Sequence, residues 1–303
     1  MTLDPDALRE VYDRQLRAWL PERLGAKAVV ERDGPLVRVT GLDNRGFITY
    51  RDLDGLDGAD LDALIARQRD LFAARGEAVE WKLHGHDQPV DLPQRLRAAG
   101  FEPEEPETVV IGLAGPLTAD RALPEGVRLR EVTSRVDLDR IMGMEATVWG
   151  EDYSWHAESL EQEIATDPEG ITVVVAEFDA RDDDPGTVLS AGWVRYVRGT
   201  AFATLWGGST LKEWRGRGIY KALVAYRARL AVARGYSHLE VDASDDSRPI
   251  LQRLGFVPVT TTTPYVFTPV AVKITAWRSS GHVVVGKPDK LPSAAPPNRD
   301  LAP

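Results

Sequence analysis

The sequence predicts an α/β (α+β) fold made of two tandem domains, each a mixed, mostly antiparallel sheet flanked by helices. Three observations predict it. Strand-like and helix-like segments alternate along the chain, their order in the first part repeats in the second, and short signatures recur at nearly constant spacing. A length of 303 residues suits two domains, and a 43% share of hydrophobic residues is enough to build their cores.

The second part of the chain has the clearer pattern. A strand (VRLREV) precedes two helices (DLDRIMGMEATVWG and HAESLEQEIAT) and three strands (ITVVVAEFD, VLSAGWVRYV and AFATLWGG). The next helix begins at Gly218, and its residues Ile219, Leu223, Tyr226 and Leu230 form an apolar stripe at helical spacing. The strand HLEVDA, the short helix SRPILQRLG and the strands FVPV and PYVF complete the predicted domain.

The first part repeats the later half of this order. Three strands (AKAVVERDG, LVRVTG and GFITYRDL) precede a helix (ADLDALIARQRDLFAARG), a strand (AVEWKLHG), a short helix (LPQRLRAAG) and a strand (TVVIGL). Ala-Arg-Gly ends both long helices, and Gly-Phe-x-Pro follows both short ones. We therefore predict a first domain at 1–112, a linker at 113–126, a second domain at 127–268 and a partly disordered extension at 269–303.

Composition excludes several classes of function. A formal net charge of -10 argues against a nucleic-acid binder, which needs clustered positive charge. The absence of cysteine excludes disulfides, a thiol nucleophile and cysteine-ligated zinc. The polar, acidic start is not that of a signal peptide, and no apolar run approaches the roughly 20 residues of a membrane helix. We therefore expect a cytoplasmic protein that binds neither nucleic acid nor membrane.

The segment RGRGIYK, at the start of the long second helix, is the clearest functional signal. The first N–H groups of a helix have no partner within the helix, and the helix dipole adds positive potential there, so an anion such as a pyrophosphate can bind. Gly216 and Gly218 allow close approach of the backbone, and Arg215, Arg217 and Lys221 add charge. The glycine pair of AFATLWGG predicts a β-bulge or a close backbone approach to a ligand.

The second part of the chain resembles the GNAT acetyltransferase superfamily in its order of elements: a strand, RGRGIY, a helix, a strand, a short helix and GF. The pyrophosphate loop of that family reads [QR]-x-x-G-x-[GA], and Arg215-x-x-Gly218-x-Tyr220 matches two of its three positions. Tyr220 departs from the small residue of the family; it narrows the site or stacks on the ligand. An isolated Arg-Gly turn that caps a core helix is the alternative interpretation.

The resemblance implies acetyl-CoA as co-substrate, bound between AFATLWGG and HLEVDA, and no metal. One backbone N–H polarises the thioester carbonyl like an oxyanion hole, and Thr210 is the predicted donor. The implied acyl-CoA contacts are Ser209, Thr210, Leu211, Arg215, Gly216, Arg217, Gly218, Ile219, Tyr220 and Lys221. Similarity to relatives that acetylate protein N-terminal amines makes Glu240 a candidate base, with Asp242 as a second candidate on the same strand face. Glu80 holds the corresponding position in the first part, which has no basic loop, so a structural role for Glu240 is the alternative.

Two further features bear on the chemistry. Many family members protonate the leaving thiolate with a tyrosine at the position of Leu251, so the acid here is unassigned.

The loop between the predicted helices DLDRIMGMEATVWG and HAESLEQEIAT resembles the acceptor-binding wall of the family. Its aromatic and acidic groups suit a cationic amine. We predict acceptor contacts from Trp149, Glu151, Asp152, Tyr153 and Trp155; the two acidic residues are also alternative bases, and tryptophans packed on the core are the alternative interpretation.

The first domain lacks the basic loop. Its equivalent segment carries aspartates and no arginine after Arg51, so it should repel pyrophosphate, and we interpret the domain as a degenerate copy. The aspartate spacing does not fit an EF-hand. His84-x-His86-Asp87 has metal-ligand character, but a surface strand end is the favoured interpretation.

The sequence therefore predicts an acyl-CoA-dependent N-acyltransferase, transferring acetyl to a primary amine by direct attack in the second domain. A non-catalytic acyl-CoA sensor is the alternative, and a scaffold protein is a third possibility. The acceptor is a small-molecule or peptide amine, and the protein is a monomer or a homodimer.

Overall fold

The computed structural model describes residues 3–21, 24, 27–42, 45–150, 154–179 and 186–269. The first half contains α1 (Pro5–Gln15), β1 (Val29–Asp33), β2 (Leu36–Thr40), β3 (Gly46–Thr49), α2 (Gly58–Arg75), β4 (Val79–His84), α3 (Leu92–Ala98), β5 (Glu102–Pro103) and β6 (Glu107–Leu113). No helix among these described residues is long and apolar enough to cross a membrane. The predicted extension from residue 270 onward lies outside the described residues.

The second half begins where β6 ends. It contains α4 (Ala114–Leu117), β7 (Val127–Val132), α5 (Arg135–Trp149), α6 (Ser154–Thr166), β8 (Ile171–Phe178), β9 (Thr187–Tyr196), β10 (Phe202–Thr210), a 3₁₀ turn (Lys212–Trp214), α7 (Ile219–Ala233), β11 (His238–Ala243), α8 (Arg248–Leu254) and β12 (Val257–Phe267).

The strands form one sheet in the order β1-β2-β3-β4-β12-β6-β11-β10-β9-β8-β7, with β5 beside β12. The two halves share the same pairing scheme. Strands β1, β2 and β3 are antiparallel and β3 is parallel to β4, just as β8, β9 and β10 are antiparallel and β10 is parallel to β11. Each half sends its last strand across: β6 pairs with β11, and β12 pairs with β4. The halves are therefore interlocked through backbone hydrogen bonds.

Separate apolar clusters stabilise each half. Trp81, Phe72 and Phe101 lie fully buried in the first-half cluster. In the second half α7 packs on β8, β9 and β10, and its predicted stripe is confirmed: Ile219 and Leu223 are buried, and Tyr226 packs against them.

The helix α1 was not predicted, because its N-terminal sequence is strongly polar. Asp4 caps it and Pro5 starts it, and Leu8 and Tyr12 pack on Val109 and other residues of β6 and β12. It therefore lies over the central strands of the sheet.

Three other details differ from the predictions. FVPV and PYVF form one strand, β12, because a register shift between Pro258 and Thr260 lets it continue past the proline. The predicted linker begins with α4, where Ala114 and Leu117 are buried against α7. The segment between α5 and α6 is also shorter than predicted, because α6 begins at Ser154.

Candidate active site

A wedge-shaped gap opens between β10 and β11. The two parallel strands pair only from Phe202 to Thr204 on β10 and from His238 to Glu240 on β11. Beyond these residues β10 continues to Thr210 with no partner on its β11 side among the described strands. The sheet therefore presents an edge of unpaired backbone groups within its interior.

The glycine pair on β10 forms the predicted bulge. The register with β9 shifts between Gly207 and Ser209, and φ is 67° at Gly207 and 100° at Gly208. A Cβ on either glycine would lie 2.7 Å from an aromatic carbon, of Trp193 or of Tyr220 respectively. Both the backbone conformation and the close packing require glycine here.

The bulge decides which N–H group faces the gap. Leu211 donates its N–H to the carbonyl of Leu189 on β9, at 2.9 Å. In an antiparallel ladder neighbouring residues point their backbone groups to opposite sides, so the N–H and C=O of Thr210 point away from β9 and into the gap. Arg215 Nε, on the gap side, donates to the Thr210 carbonyl at 3.0 Å. Thr210 therefore offers the gap a backbone donor, as the oxyanion prediction requires.

The N-terminus of α7 lies beside this edge and is open. Gly218 is the N-cap residue, no side chain caps the helix, and its first turn holds no acidic residue. The first helical hydrogen bond is donated by Ala222 to Gly218, at 3.0 Å, so the N–H groups of the three residues between them have no partner within the helix. Gly216 has φ 74°, and a Cβ there would meet no atom within 4 Å. The backbone is therefore free to approach an anion.

The basic side chains around this terminus also lack acidic partners. Arg215 donates to a backbone carbonyl, and the Arg217 guanidinium lies 4.8 Å from the centre of the Trp214 ring. No carboxylate in the described part of the chain pairs with Arg215, Arg217 or Lys221. These positive charges can therefore be neutralised by a bound anion.

Tyr220 does not lie on the exposed side of this terminus. Its ring contacts the bulge at Gly208 and packs on the cluster that contains Val224 and Leu251. Burial raises the pKa of its hydroxyl, while the Arg227 guanidinium opposes that shift. Leu251 is fully buried in the same cluster. The two departures from the family pattern thus lie in one apolar cluster.

A cavity of about 280 Å³ lies next to this segment. It is lined by Thr147, Val148, Leu211, Lys212, Glu213 and Arg215, between the end of α5 and the turn that follows β10.

The equivalent terminus in the first half is closed. Asp57 caps α2, accepting a hydrogen bond from the N–H of Gly58 at 2.6 Å. Arg95, from α3, donates to Asp57 at 3.1 Å and to Asp62 at 2.9 Å. A carboxylate of the protein itself therefore lies where α7 leaves room for an external anion.

Glu240 lies at the narrow end of the gap, paired with Thr204 across β10. Its side chain is buried; burial raises its pKa well above the ordinary value, Asp242 raises it further, and Lys82 opposes the shift. Thr210 is six residues further along β10, about 20 Å at about 3.3 Å per residue. The structure does not bring Glu240 and Thr210 together.

Asp242 forms an ion pair with Lys82, which β4 of the first half supplies. Burial would lower the pKa of Lys82, but Asp242, Tyr12 and Glu240 raise it above its ordinary value. Glu107 lies in the same cluster, and burial together with Asp242 raises its pKa to about 7. Sequence reasoning missed Lys82 because only the exchange of strands between the halves brings β4 near β11, and it missed Tyr12 because α1 was not predicted.

The predicted acceptor wall is aromatic and exposed. Trp149 and Trp155 are 56% and 44% exposed, so these tryptophans do not pack into the core. Trp155 stacks on His156, with 5.1 Å between ring centres, and His156 meets Trp193 at 5.2 Å. Burial lowers the pKa of His156 to about 4. The predicted contacts Glu151, Asp152 and Tyr153 lie outside the described residues.

Two residues on this wall were missed by sequence reasoning. Trp206 is 46% exposed, and the Arg195 guanidinium lies 4.7 Å from the centre of its ring. The sequence did not indicate that this strand tryptophan faces solvent. Glu145 is buried on α5, one helical turn before Trp149. The Trp149 Nε1–H donates to Ser209 Oγ, at 2.9 Å, so a predicted acceptor residue contacts a predicted acyl-CoA residue.

The sequence suggested that β4 ends at the surface, but in the structure this strand end is covered by α1. His84 is buried under α1, where its Nε2 lies 3.0 Å from Tyr12 Oη. His86 Nδ1 lies 2.7 Å from Thr260 Oγ1, and Asp87 accepts the N–H of His84 at 2.8 Å. These three side chains are engaged with the protein.

Comparisons with known proteins agree with this geometry. Residues 138–256, less than half of the chain, match the model of the Acetyltransferase (GNAT) family. No curated protein sequence matches the chain.

Three solved structures are similar to nearly the whole described chain. A GCN5-related N-acetyltransferase from Kribbella flavida has a TM-score of 0.58 at 18% identity, covering 88% of this chain and 94% of its own. A tandem GNAT protein from the clavulanic acid biosynthesis pathway has a TM-score of 0.58 at 15% identity, covering 80% of this chain and 84% of its own. A GCN5-related N-acetyltransferase from Sphaerobacter thermophilus has a TM-score of 0.55 at 14% identity, covering 78% of this chain and 81% of its own. The chain therefore has the GNAT fold, and the region that matches the family model is the region that contains the gap and the open terminus of α7.

Proposed function

We propose that the second half of this protein is an acyl-CoA-dependent N-acyltransferase that transfers acetyl from acetyl-CoA to a primary amine. One observation supports it above all. The uncapped N-terminus of α7, with its unpaired basic residues, lies beside the open backbone edge of β10 at Thr210. Acyl-CoA carries both matching groups: a pyrophosphate, which suits the helix terminus, and a thioester at the end of its pantetheine arm, which suits the open edge of β10.

The residues fit this ligand. The N–H groups at the start of α7 and the Arg215 and Arg217 side chains bind the pyrophosphate, and Gly216 and Gly218 keep its path clear. The pantetheine arm follows the unpaired edge of β10 past Ser209 and Leu211. The Thr210 N–H donates to the thioester oxygen, whose negative charge grows when the amine attacks.

The transfer is a direct displacement. The amine nitrogen attacks the thioester carbon, the C–N bond forms, and the C–S bond breaks with its electron pair on sulfur. A thiol of ordinary pKa about 8.5 is a good leaving group near neutral pH, so the leucine at position 251 does not prevent the reaction. The partly exposed tryptophans Trp149 and Trp155 favour a cationic acceptor.

The shared order and pairing of the two halves support an origin by duplication. The closed terminus of α2 supports one acyl-CoA per chain, bound by the second half. In the first half Asp52 and Asp54 precede this cap, and they would repel a phosphate.

The test is a thiol-release assay with acetyl-CoA over a panel of amines, alongside calorimetry of acetyl-CoA binding to the full chain. We expect one binding site per chain and thiol release with at least one amine. Binding without release from any amine would support the alternative, a non-catalytic acyl-CoA sensor, which Leu251 favours. If acetyl-CoA does not bind at all, both the N-acyltransferase and the acyl-CoA sensor are excluded.

A further inference from the structure

The phenol ring of Tyr220, in the first turn of α7, lies against the glycine bulge of β10. A Cβ built on Gly208 would lie 2.7 Å from Cε2 of this ring, 3.4 Å from Cδ2 and 3.8 Å from Cζ, the carbon that carries the hydroxyl. The ring edge that leads to the hydroxyl therefore runs along the bulge. A Cβ on Gly207 would instead meet Trp193, which packs in the cluster under α5 and α6. Tyr220 and the acceptor wall thus lie on opposite faces of the same bulge.

The hydroxyl of Tyr220 is free. No hydrogen bond joins it to another described residue, although the side chain is half-buried. Tyrosine hydroxyls usually find a partner when they are buried. Tyr226, on the same helix, follows this rule and donates its hydroxyl to Glu131 Oε1 at 2.8 Å. The α7 helix therefore carries one phenol that the protein engages and one that it leaves open to a ligand.

A buried guanidinium lies about two turns further along α7. The Arg227 side chain is 1% exposed. It donates hydrogen bonds of 2.9 to 3.2 Å to three backbone carbonyls, those of Trp206, Trp193 and Leu223. No carboxylate in the described part of the chain pairs with it. A buried charge without a counter-charge is costly, and its positive potential favours negative charge nearby, so it opposes the rise in pKa that burial gives Tyr220.

The position of the phenol suits the leaving sulfur of a thioester bound at Thr210. Gly208 precedes Thr210 by two residues, about 7 Å along the strand at about 3.3 Å per residue, so the ring lies beside the path of the pantetheine arm. Leu251, in the same apolar cluster as the phenol, has no proton to donate. The acceptor amine comes from the opposite face of the sheet, so it does not compete with the phenol for space.

We propose that Tyr220 is the general acid of the transfer and donates its hydroxyl proton to the leaving thiolate of CoA; this rests on the function proposed above. The amine, which has lost one proton to water, attacks the thioester carbon and forms the C–N bond. The C–S bond breaks with its electron pair on sulfur, and sulfur takes the proton of Tyr220 Oη. The nitrogen loses its second proton to water, and the phenolate, near the Arg227 guanidinium, regains one from water. The products are the amide, the free thiol and one proton.

The first test is Tyr220→Phe in the full chain, with acetyl-CoA and the best amine from the panel. It removes one oxygen and keeps the ring against Gly208. It should lower kcat by about 10²-fold, the low end of what a positioned proton donor contributes, because a thiolate already leaves well. The affinity for acetyl-CoA, measured by calorimetry, should not change. Tyr226→Phe, which removes a hydroxyl engaged by Glu131 on the same helix, is the matched control and should keep full activity.

The pH profile separates a proton donor from a packing role. The wild-type kcat should fall at high pH, as the Tyr220 hydroxyl ionises. Incorporation of 3-fluorotyrosine in place of Tyr220 keeps the shape of the ring but makes the phenol more acidic, so the descending limb should move to lower pH. This analogue also keeps the proposal testable if Tyr220→Phe does not fold.

Unaltered kcat in Tyr220→Phe, or a descending limb that 3-fluorotyrosine does not move, would overturn the inference, and the proposed function would then stand. A loss of acetyl-CoA affinity as large as the loss of kcat would also overturn it, because the hydroxyl would then bind the ligand rather than protonate the sulfur. A wild-type protein that binds acetyl-CoA but releases no thiol overturns the function and this inference together.

Discussion

The N-termini of α2 and α7 occupy equivalent positions in the two halves. In both helices the first backbone N–H groups have no partner within the helix, but the two halves satisfy these groups differently. At α2 the side chain of Asp57 satisfies a free N–H group, and Arg95 holds the surrounding aspartates. At α7 no side chain of the described residues caps the helix at Gly218, and in the same part of the chain the basic side chains have no acidic partner. The difference teaches that a helix N-terminus becomes a ligand site only where the protein leaves it unsatisfied.

The largest expected effect comes from closing the open terminus. Gly218→Glu should weaken acetyl-CoA binding by at least about 10³-fold, or about 4 kcal/mol, because it places a carboxylate where the pyrophosphate binds. Calorimetry on the purified variant measures this.

Gly218→Gln is the matched control, since it has the same shape and the same cost of a side chain at φ 87° but no charge. If both variants lose affinity equally, backbone strain rather than charge is responsible. If Gly218→Glu keeps wild-type affinity, the binding site is elsewhere.

The second prediction concerns what the first half still contributes. Lys82→Met should lower the free energy of unfolding by about 3 kcal/mol, because it leaves Asp242 largely buried without its counter-charge. Urea denaturation measures the loss, and Lys27→Met, at an exposed lysine, is the control.

A double-mutant cycle with Asp242→Asn sharpens this prediction. Adding Asp242→Asn to Lys82→Met should recover part of the lost stability, because the unpaired charge is removed. If the two changes simply add, the ion pair does not couple the halves, and the first half contributes to the second through strand exchange alone.

Much of the fold could be predicted because hydrophobic periodicity and glycine signatures are local. The Gly-Phe pairs after α3 and α8 are an example: both glycines have positive φ, and both phenylalanines are buried. The bulge at the glycine pair of β10 was predicted for the same reason. The exchange of β6 and β12 was not, because the sequence of a strand carries no information about which half it pairs with.

The candidate site was predicted in part. The loop at α7 could be found because its chemistry is contained in seven consecutive residues. Lys82 and Tyr12 could not, since each reaches the site from an element distant in sequence, and α1 has too polar a sequence to indicate burial. The predicted base Glu240 lies on the expected strand, but its distance from Thr210 depends on where β10 and β11 separate.

The third prediction compares Glu240 with Glu80, its equivalent on β4. Burial raises the pKa of both carboxyls, but Arg45 Nη2 lies 2.7 Å from Glu80 Oε2, whereas Lys82 is engaged by Asp242 rather than by Glu240. A raised pKa in the folded state means that stability is complete below the ordinary value of 4.5 and is lost as pH rises through the folded pKa.

Because glutamine does not ionise, Glu240→Gln should gain stability over the wild type as pH rises above about 4.5, by up to about 1.4 kcal/mol per pH unit. The pKa of Glu80 is also raised, so Glu80→Gln should gain stability in the same direction but less steeply, and this gain is offset by about 1 kcal/mol or less because the change breaks the ion pair with Arg45. Urea denaturation between pH 4.5 and pH 8 measures both. Parallel curves for the two variants would mean that their environments are equivalent and that strand exchange has not separated the two positions electrostatically.

The smallest expected effect comes from opening the closed terminus. Asp57→Ala removes the cap of α2 and should cost about 1 kcal/mol of stability, the usual value for a lost N-cap. It should not create a second acyl-CoA site, because the segment between Arg51 and α2 still carries Asp52 and Asp54 and has no arginine, and Arg95 keeps its ion pairs with Asp62 and Asp91. Calorimetric titration of the full chain should therefore still show one acetyl-CoA per chain. Two sites in Asp57→Ala would show that the cap alone excludes the ligand, and that the first half keeps the rest of a working acyl-CoA cleft.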